Sequence, residues 1–494
     1  MTTRKSQNHF NIYIIASMSV LLAVFSIPIF NSKFLHHDDL FRFHTAILGH
    51  LDAYLSQFIN KYIRYMPTYL LTIDEGLSRA WIFIFGYLPI SFFTYKIFLK
   101  RFGTFYSTLI AFGSNILAVH STLRVFVDGS TPVLGFAIQL MALYLMANLG
   151  KFYLGIIFYI IAHIASPYSF MLLPLSLFVL IDSDRSIKNN VLKNHKPYFL
   201  IAISILFCIW FKIYGGITPS TRLPSLEFPR IIKHFKNGLK WSNFFYIESP
   251  YFLSAKTIET SSLILSVLGT LKIVFKAKEK YFLLIPSAYL GFLGIFSLAY
   301  FSSSRYHYIS GYLFLLLLSY TLKEIKMQKV IKSILIIFFI AQAFFSIKFS
   351  FNKANNLNIR NKKAHSALSL FNLKEVEQVI LMGGPAHESG GIWFWAQGWI
   401  KHQFPEHDLK LAVYKESKCQ NLFNPKAYRS WTERFGGLTP NKKTVIINFT
   451  GDKKEIYSTY SHRGNTYRAV LPNQPLPDKV TINDNVFNSK CLYN

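Results

Sequence analysis

Two histidines and two aspartates form one run, His36-His37-Asp38-Asp39, with Arg42 three residues beyond the second Asp. A carboxylate can take a proton from an attacking hydroxyl, and an arginine fork beside it can hold a phosphate. Four consecutive side chains cannot all turn onto one ion, so no metal site is read here. From Asp38 onward Leu40, Phe43, Ile47, Leu51, Leu55, Phe58 and Tyr62 recur at helical spacing. The plainer role for Asp38 or Asp39 is therefore to cap that helix at its positive end. A cap explains one carboxylate readily and two less well, because a second one beside a membrane loses hydration for no return. Two other short segments carry related chemistry. Arg305 in Ser302-Ser303-Ser304-Arg305-Tyr306-His307 is either a phosphate clamp or an anchor for any lipid headgroup. Arg124 and Asp128 share Arg124-Val125-Phe126-Val127-Asp128-Gly129-Ser130-Thr131-Pro132, where Asp128 also reads as the cap of a helix with Pro132 in its first turn.

The elements that must position these residues are apolar. Of 494 residues 51% are hydrophobic and only 16% charged, and aromatics reach 17%. Soluble domains carry about 25% charged residues. Mean hydropathy is +0.28. Disordered, coiled-coil, collagen-like and disulfide-scaffold classes are excluded, and a purely soluble enzyme is disfavoured. Eleven apolar stretches, at about 11–30, 80–98, 104–122, 131–148, 152–165, 167–181, 198–214, 259–275, 281–301, 307–322 and 330–351, approach the length of a membrane helix. The fifth and sixth are short, which suits a tight or re-entrant hairpin. The first lacks a small-residue cleavage site and reads as a helix that stays in the protein. The expected fold is a polytopic α-helical membrane protein with about eleven transmembrane helices.

The net charge of +29 would suggest nucleic acid in a soluble chain. In a membrane chain it reads as cations flanking helices beside anionic lipid, with no nucleic-acid partner. With the N-terminus in the cytoplasm, seventeen Lys and Arg fall in cytoplasmic segments, among them Arg4, Lys96, Arg101, Lys151, Lys196, Lys276 and Lys323. The short loops of the other side hold only Arg124 and Arg305. The positive-inside rule then puts the segments near 31–79 and 215–258, and everything after 351, outside.

The chain thus divides at 351. Residues 1–351 form the membrane module, and the 143 residues from Asn352 suffice for a domain. VEQVILMGG, LKLAVY and TVIINFT read as strands and GIWFWAQGWIKHQF as a helix, a small α/β pattern. Trp395 and Trp399 are four apart and share a helix face. That face is either core or an aromatic platform for an acceptor or the membrane surface. Gly383-Gly384 lacks the G-x-G-x-x-G spacing and reads as a turn. Of three cysteines, Cys208 is in an apolar run and Cys419 and Cys491 are in the tail, without metal-ligand spacing.

Asp38, Asp39 and Arg42 after a first membrane helix, a Phe-x-Asp stretch before a later one, Arg305 at the start of a late one and a long outside tail form a pattern. It resembles the bacterial O-antigen glucosyltransferases of serotype conversion, the Gtr family, within the GT-C class. The resemblance implies a GT-C-like membrane module and transfer of glucose from undecaprenyl-phosphate glucose to O-antigen, with inversion, at the periplasmic face of the inner membrane. It implies Asp39 or Asp38 as base, the other orienting sugar or ion, with Arg305 and Arg124 holding phosphate. His37, Arg42, Asp128 and Trp399 are the further candidates for substrate contact. A divalent cation, magnesium or manganese, is the one candidate cofactor. A flippase and a separate synthase would supply the donor. An O-antigen polymerase is the nearest alternative, but its large outside loop usually lies within the span series. A transporter would place ionisable or broken segments at mid-membrane, and here His163 and Pro174 are the main such features. The asymmetry of basic residues predicts that a reporter active only in the cytoplasm stays silent when fused after Asn494, and strong signal from that fusion would reverse the orientation.

Overall fold

The computed structural model describes residues 2–32, 66–117, 127–166, 169–181, 195–214, 228–238, 267–268, 270–271, 275, 280–298, 308–323, 325, 327–369, 373–382, 396–414, 444–449, 456–458, 465–466 and 480–481. Its helices are α1 (Thr2–Asn31), α2 (Met66–Leu71), α3 (Glu75–Ile82), α4 (Leu88–Gly113), α5 (Val127–Ala147), α6 (Phe152–Ala165), α7 (Leu173–Leu180), α8 (Lys196–Tyr214), α9 (Phe228–Gly238), α10 (Leu284–Leu298), α11 (Tyr308–Lys323), α12 (Gln328–Ser369) and α13 (Ala396–Gln403). A π-helical turn, Phe83–Tyr87, joins α3 to α4. The described residues of every predicted apolar stretch are helical over most of their length, and in 259–275 these are 267, 268, 270, 271 and 275 alone. Among the described residues three helices are long and apolar enough to cross a membrane, Ile12–Asn31, Glu75–Ile116 and Gln328–Asn358. This is the architecture of a helical membrane protein.

The 42-residue run Glu75–Ile116 would measure about 63 Å as one rod, twice a hydrocarbon core. It does not run straight. Gly103 has φ 75° and ψ 172°, a conformation that side chains with a Cβ avoid. Beyond it the chain folds back, because the Asn115 amide donates to Ser91 Oγ at 2.7 Å and to the Tyr87 carbonyl at 3.3 Å. Residues 91 and 115 lie twelve positions either side of Gly103. A straight helix would hold them about 36 Å apart.

Gly103 thereby marks one end of the bundle, and several elements report to it. Arg101 donates to the carbonyls of Phe178, Val179 and Ile181, which closes the C-terminus of α7. Asn148 donates to Lys96 O, Lys323 to Arg101 O, and Tyr106 to Gln328 Oε1. The Gln328 amide caps α11 through the carbonyls of Leu322, Lys323 and Ile325. Lys96, Arg101, Lys196, Lys323 and Lys332 each sit over a phenylalanine ring at 4.8–5.8 Å. These contacts hold cations against apolar surface without burying their charge in it.

Helices α6 and α7 form a hairpin on this frame. At 14 and 8 residues they rise about 21 and 12 Å, short of a full crossing. Phe152 packs on His195 and the far end of α7 meets Arg101, so both legs begin and finish at the Gly103 end. The tip presses against α5, where a Cβ on Gly135 would stand 2.4 Å from Ser166 Cβ. Gln139 donates to Ser169 O, Tyr159 pairs with Ser204, and His163 Nε2 lies 3.2 Å from Ser204 Oγ. These bonds give buried polar groups partners where no water competes.

The C-terminal strands are β1 (Gln378–Met382), β2 (Lys410–Tyr414), β3 (Thr444–Phe449) and β4 (Ile456–Ser458), ordered β2-β1-β3-β4. Gln378 pairs in parallel with Lys410 on one side and Thr444 on the other, and β4 runs antiparallel to β3. The first three coincide with the strands expected from the sequence, and α13 makes the crossover from β1 to β2. A two-residue pair, β5 (Asn465–Thr466) and β6 (Val480–Thr481), completes the strands. Helix α12 continues to Ser369, so the boundary read at 351 falls inside a helix. Its extension, from Phe351 on, is polar and gave no apolar period. Likewise, helix begins at Glu75 and α9 forms at 228–238, within stretches read as outside loops. Asn115→Ala removes the buried amide that ties the arms of the fold-back, and we expect a loss of about 1–3 kcal/mol, measured as a lower thermal midpoint in detergent.

Candidate functional site

The other end of the bundle gathers Asn31, Ser32, Asp74, Glu75, Arg79 and Asn358 in the described structure. The carbonyl of Ser32 accepts from the buried Arg79 guanidinium at 2.9 Å, and Asn358 donates to Asn31 O. Asp74 caps α3, its Oδ1 accepting from Leu77 N at 2.6 Å. A carboxylate at the head of that helix is placed where the exposed N–H groups favour it.

Onto this end comes α13. His402 Nε2 lies 2.8 Å from Glu75 Oε1, with side chains 14% and 20% exposed. The Gln403 amide contacts His402 Nδ1 at 2.5 Å, so both ring nitrogens are engaged. Phe404 stacks on His365 at 4.9 Å between centroids and 8° between planes, fixing α13 to the extension of α12. Lys401 pairs with Asp408 at 2.9 Å and steadies the turn into β2. Leu373, Val376, Ile400 and Leu409 are buried beneath this joint. The amino end of α1 lies at the Gly103 end, where Tyr13 meets Phe105. The start of α1 and the α13 joint are therefore on opposite ends of the bundle.

The loops that carry the predicted residues spring from the described helix ends. Ser32 precedes one, and Met66, at the start of α2, follows it. The second arm of the fold-back climbs from Gly103 to Leu117, and α5 descends from Val127 to Asn148 beside Lys96. Phe282 stacks on Tyr320 near the Gly103 end, so α10 climbs to Leu298 and α11 returns from Tyr308 to Lys323. The anchors of all three loops lie away from the Gly103 end, Ser32 beside Arg79, Leu117 two residues past Asn115 at the level of Tyr87 and Ser91, and Tyr308 one turn before Tyr312, which meets Thr94. His37, Asp38, Asp39, Arg42, Arg124 and Arg305 themselves lie outside the described residues. Asp128 is in the first turn of α5 and Trp399 is in α13, and their side chains also lie outside the described set. Cys419 and Cys491 lie outside it too.

The Glu75–Arg79–His402 cluster was not read from the sequence. Glu75 and Arg79 show the four-residue spacing of one helix face, a signal open to sequence reading. His402 lies 327 positions away, and no local pattern links it. Among the described residues no group of three or more His, Cys, Asp or Glu is arranged for a metal ion. No family model matches the chain, and no curated protein matches it significantly.

Burial pushes the His365 imidazole below its ordinary value, which favours the neutral ring against Phe404. A histidine freed by unfolding takes up its proton near pH ~6.5, where the folded ring still resists it. The stacking contribution is therefore complete above that pH and declines as pH falls toward the folded value. We expect protection against hydrogen exchange across 396–414, corrected for the intrinsic pH dependence of amide exchange, to fall between pH 7.5 and 5.5, and His365→Phe to suppress most of that fall.

Proposed function

We propose that the chain is a GT-C-like glycosyltransferase of the inner membrane, moving glucose from undecaprenyl-phosphate glucose to O-antigen on the periplasmic side. The observation that supports this reading is that the helix ends flanking the segments of Asp38, Asp39, Arg124 and Arg305 all point away from the Gly103 end. Lys96, Arg101, Lys196, Lys323 and Lys332 lie toward the opposite, Gly103 end. Carboxylates and arginines led to one membrane face suit a reaction whose leaving group is a lipid phosphate.

In that reaction the acceptor hydroxyl attacks the anomeric carbon and the bond from that carbon to the phosphate oxygen breaks. The hydroxyl proton passes to a carboxylate, assigned to Asp39 with Asp38 as its partner. Undecaprenyl phosphate departs with its negative charge held by Arg305 and Arg124. His37, Arg42 and Asp128 line the donor and acceptor, and Trp399 faces the acceptor polysaccharide. Any divalent cation, magnesium or manganese, would assist at the phosphate. The module crosses the membrane about eleven times with its N-terminus in the cytoplasm. The tail is a periplasmic α/β domain, and α13 is its joint to the module. A flippase and a separate synthase bring the donor to this face.

The test is incubation with undecaprenyl-phosphate glucose and O-antigen, followed by mass analysis of the polysaccharide. At least one of Asp38→Asn and Asp39→Asn should lower transfer by about 10²–10⁴-fold in protein that still inserts. Arg305→Ala should weaken donor binding and transfer together. Near-normal transfer by both Asn variants at matched protein levels would return the pair to helix capping.

A further inference from the structure

Helix α9, FPRIIKHFKNG, has the chemistry of a surface helix. It contains Arg230, Lys233 and Lys236 and no Asp or Glu. It packs against α10, and Phe235 joins the bundle core. Ile231, His234 and Phe235 share the inward arc of the helix and are partly buried. The remaining arc is open. Phe228 is 69% exposed and Ile232 38% exposed, and Lys236 continues the same line four residues on. Pro229 and Lys233 are exposed on the far side of that arc. The open surface therefore carries Phe228 and Ile232 next to the bundle, Lys236 at the end of their line, and Lys233 away from it.

An aqueous surface gives a helix no reason to hold a phenylalanine and an isoleucine in the open beside its packed face. A bilayer boundary does, since the apolar edge enters the acyl region while the lysines meet headgroups. Among the described residues three helices have membrane-crossing length and composition, so such a boundary lies alongside the bundle. We infer that α9 lies in the headgroup layer and binds anionic phospholipid, its phosphates held by Lys233 and Lys236 and its edge of Phe228 and Ile232 sunk among the acyl chains. The occupant is fixed by charge, because three basic residues without an acidic one select a negative surface. This rests on the membrane architecture and not on glycosyl transfer.

The test uses the full chain in nanodiscs of phosphatidylglycerol or phosphatidylcholine. Cys208, Cys419 and Cys491 are replaced by Ser, and a nitroxide is attached to Phe228→Cys or to Lys233→Cys. In phosphatidylglycerol the label at 228 should favour collisions with oxygen, and the label at 233 collisions with a water-soluble nickel chelate. The preference for phosphatidylglycerol over phosphatidylcholine is then measured by native mass spectrometry of the extracted protein. It should fall by about five-fold for each lysine removed in Lys233→Gln and Lys236→Gln, and in the unaltered chain it should weaken as salt rises. Water-like exposure of the label at 228 would overturn the inference. So would a lipid preference unchanged by both lysine substitutions or by salt.

Discussion

A polypeptide surrounded by hydrocarbon must satisfy its own backbone and polar groups, and the fold-back at Gly103 is where this constraint organises the chain. Reversal there needs a conformation closed to most residues, and it leaves an apolar helix doubled on itself. Asn115, Ser91 and the Tyr87 carbonyl turn that geometry into a set of bonds. The same pairing of reversal with polar repair recurs in the α6–α7 hairpin, where Arg101 closes three carbonyls and Gln139 reaches Ser169 O. Losing the fold-back would remove the end to which α7, α11 and α12 are fastened.

Two unlike ends follow from it. At the Gly103 end, cations lie across phenylalanine faces, so their stems cover apolar surface while their charge stays near water. At the other end the polar partners are a carboxylate, an imidazole and a buried guanidinium, joined by Glu75, His402 and Arg79. That second end receives α13. The joint gives the tail a fixed attachment at that end.

Much of the fold was legible because the signals are local. Apolar runs located helices on either side of Gly103, and the shortness of 152–165 and 167–181 matches the two short helices α6 and α7. VEQVILMGG, LKLAVY and TVIINFT announced β1, β2 and β3 through runs of strand-forming residues. The polar continuation of α12 was not legible, since FNKANNLNIRNKKAHS has neither an apolar run nor a clear stripe. The candidate site was legible only as residue types, with Asp128 and Trp399 alone having backbone in the described structure.

The sequence by itself determined which segments are apolar helices and which of their flanks carry Lys and Arg. Both depend on composition near each helix, and the bilayer is the partner in either case. Only the tertiary structure decided that Ser91 meets Asn115, that five cations rest on phenylalanine rings and that Glu75 finds His402. Such contacts hold because the partner's position removes a desolvation penalty. That position is set by folding of the whole chain, and no local spacing encodes it.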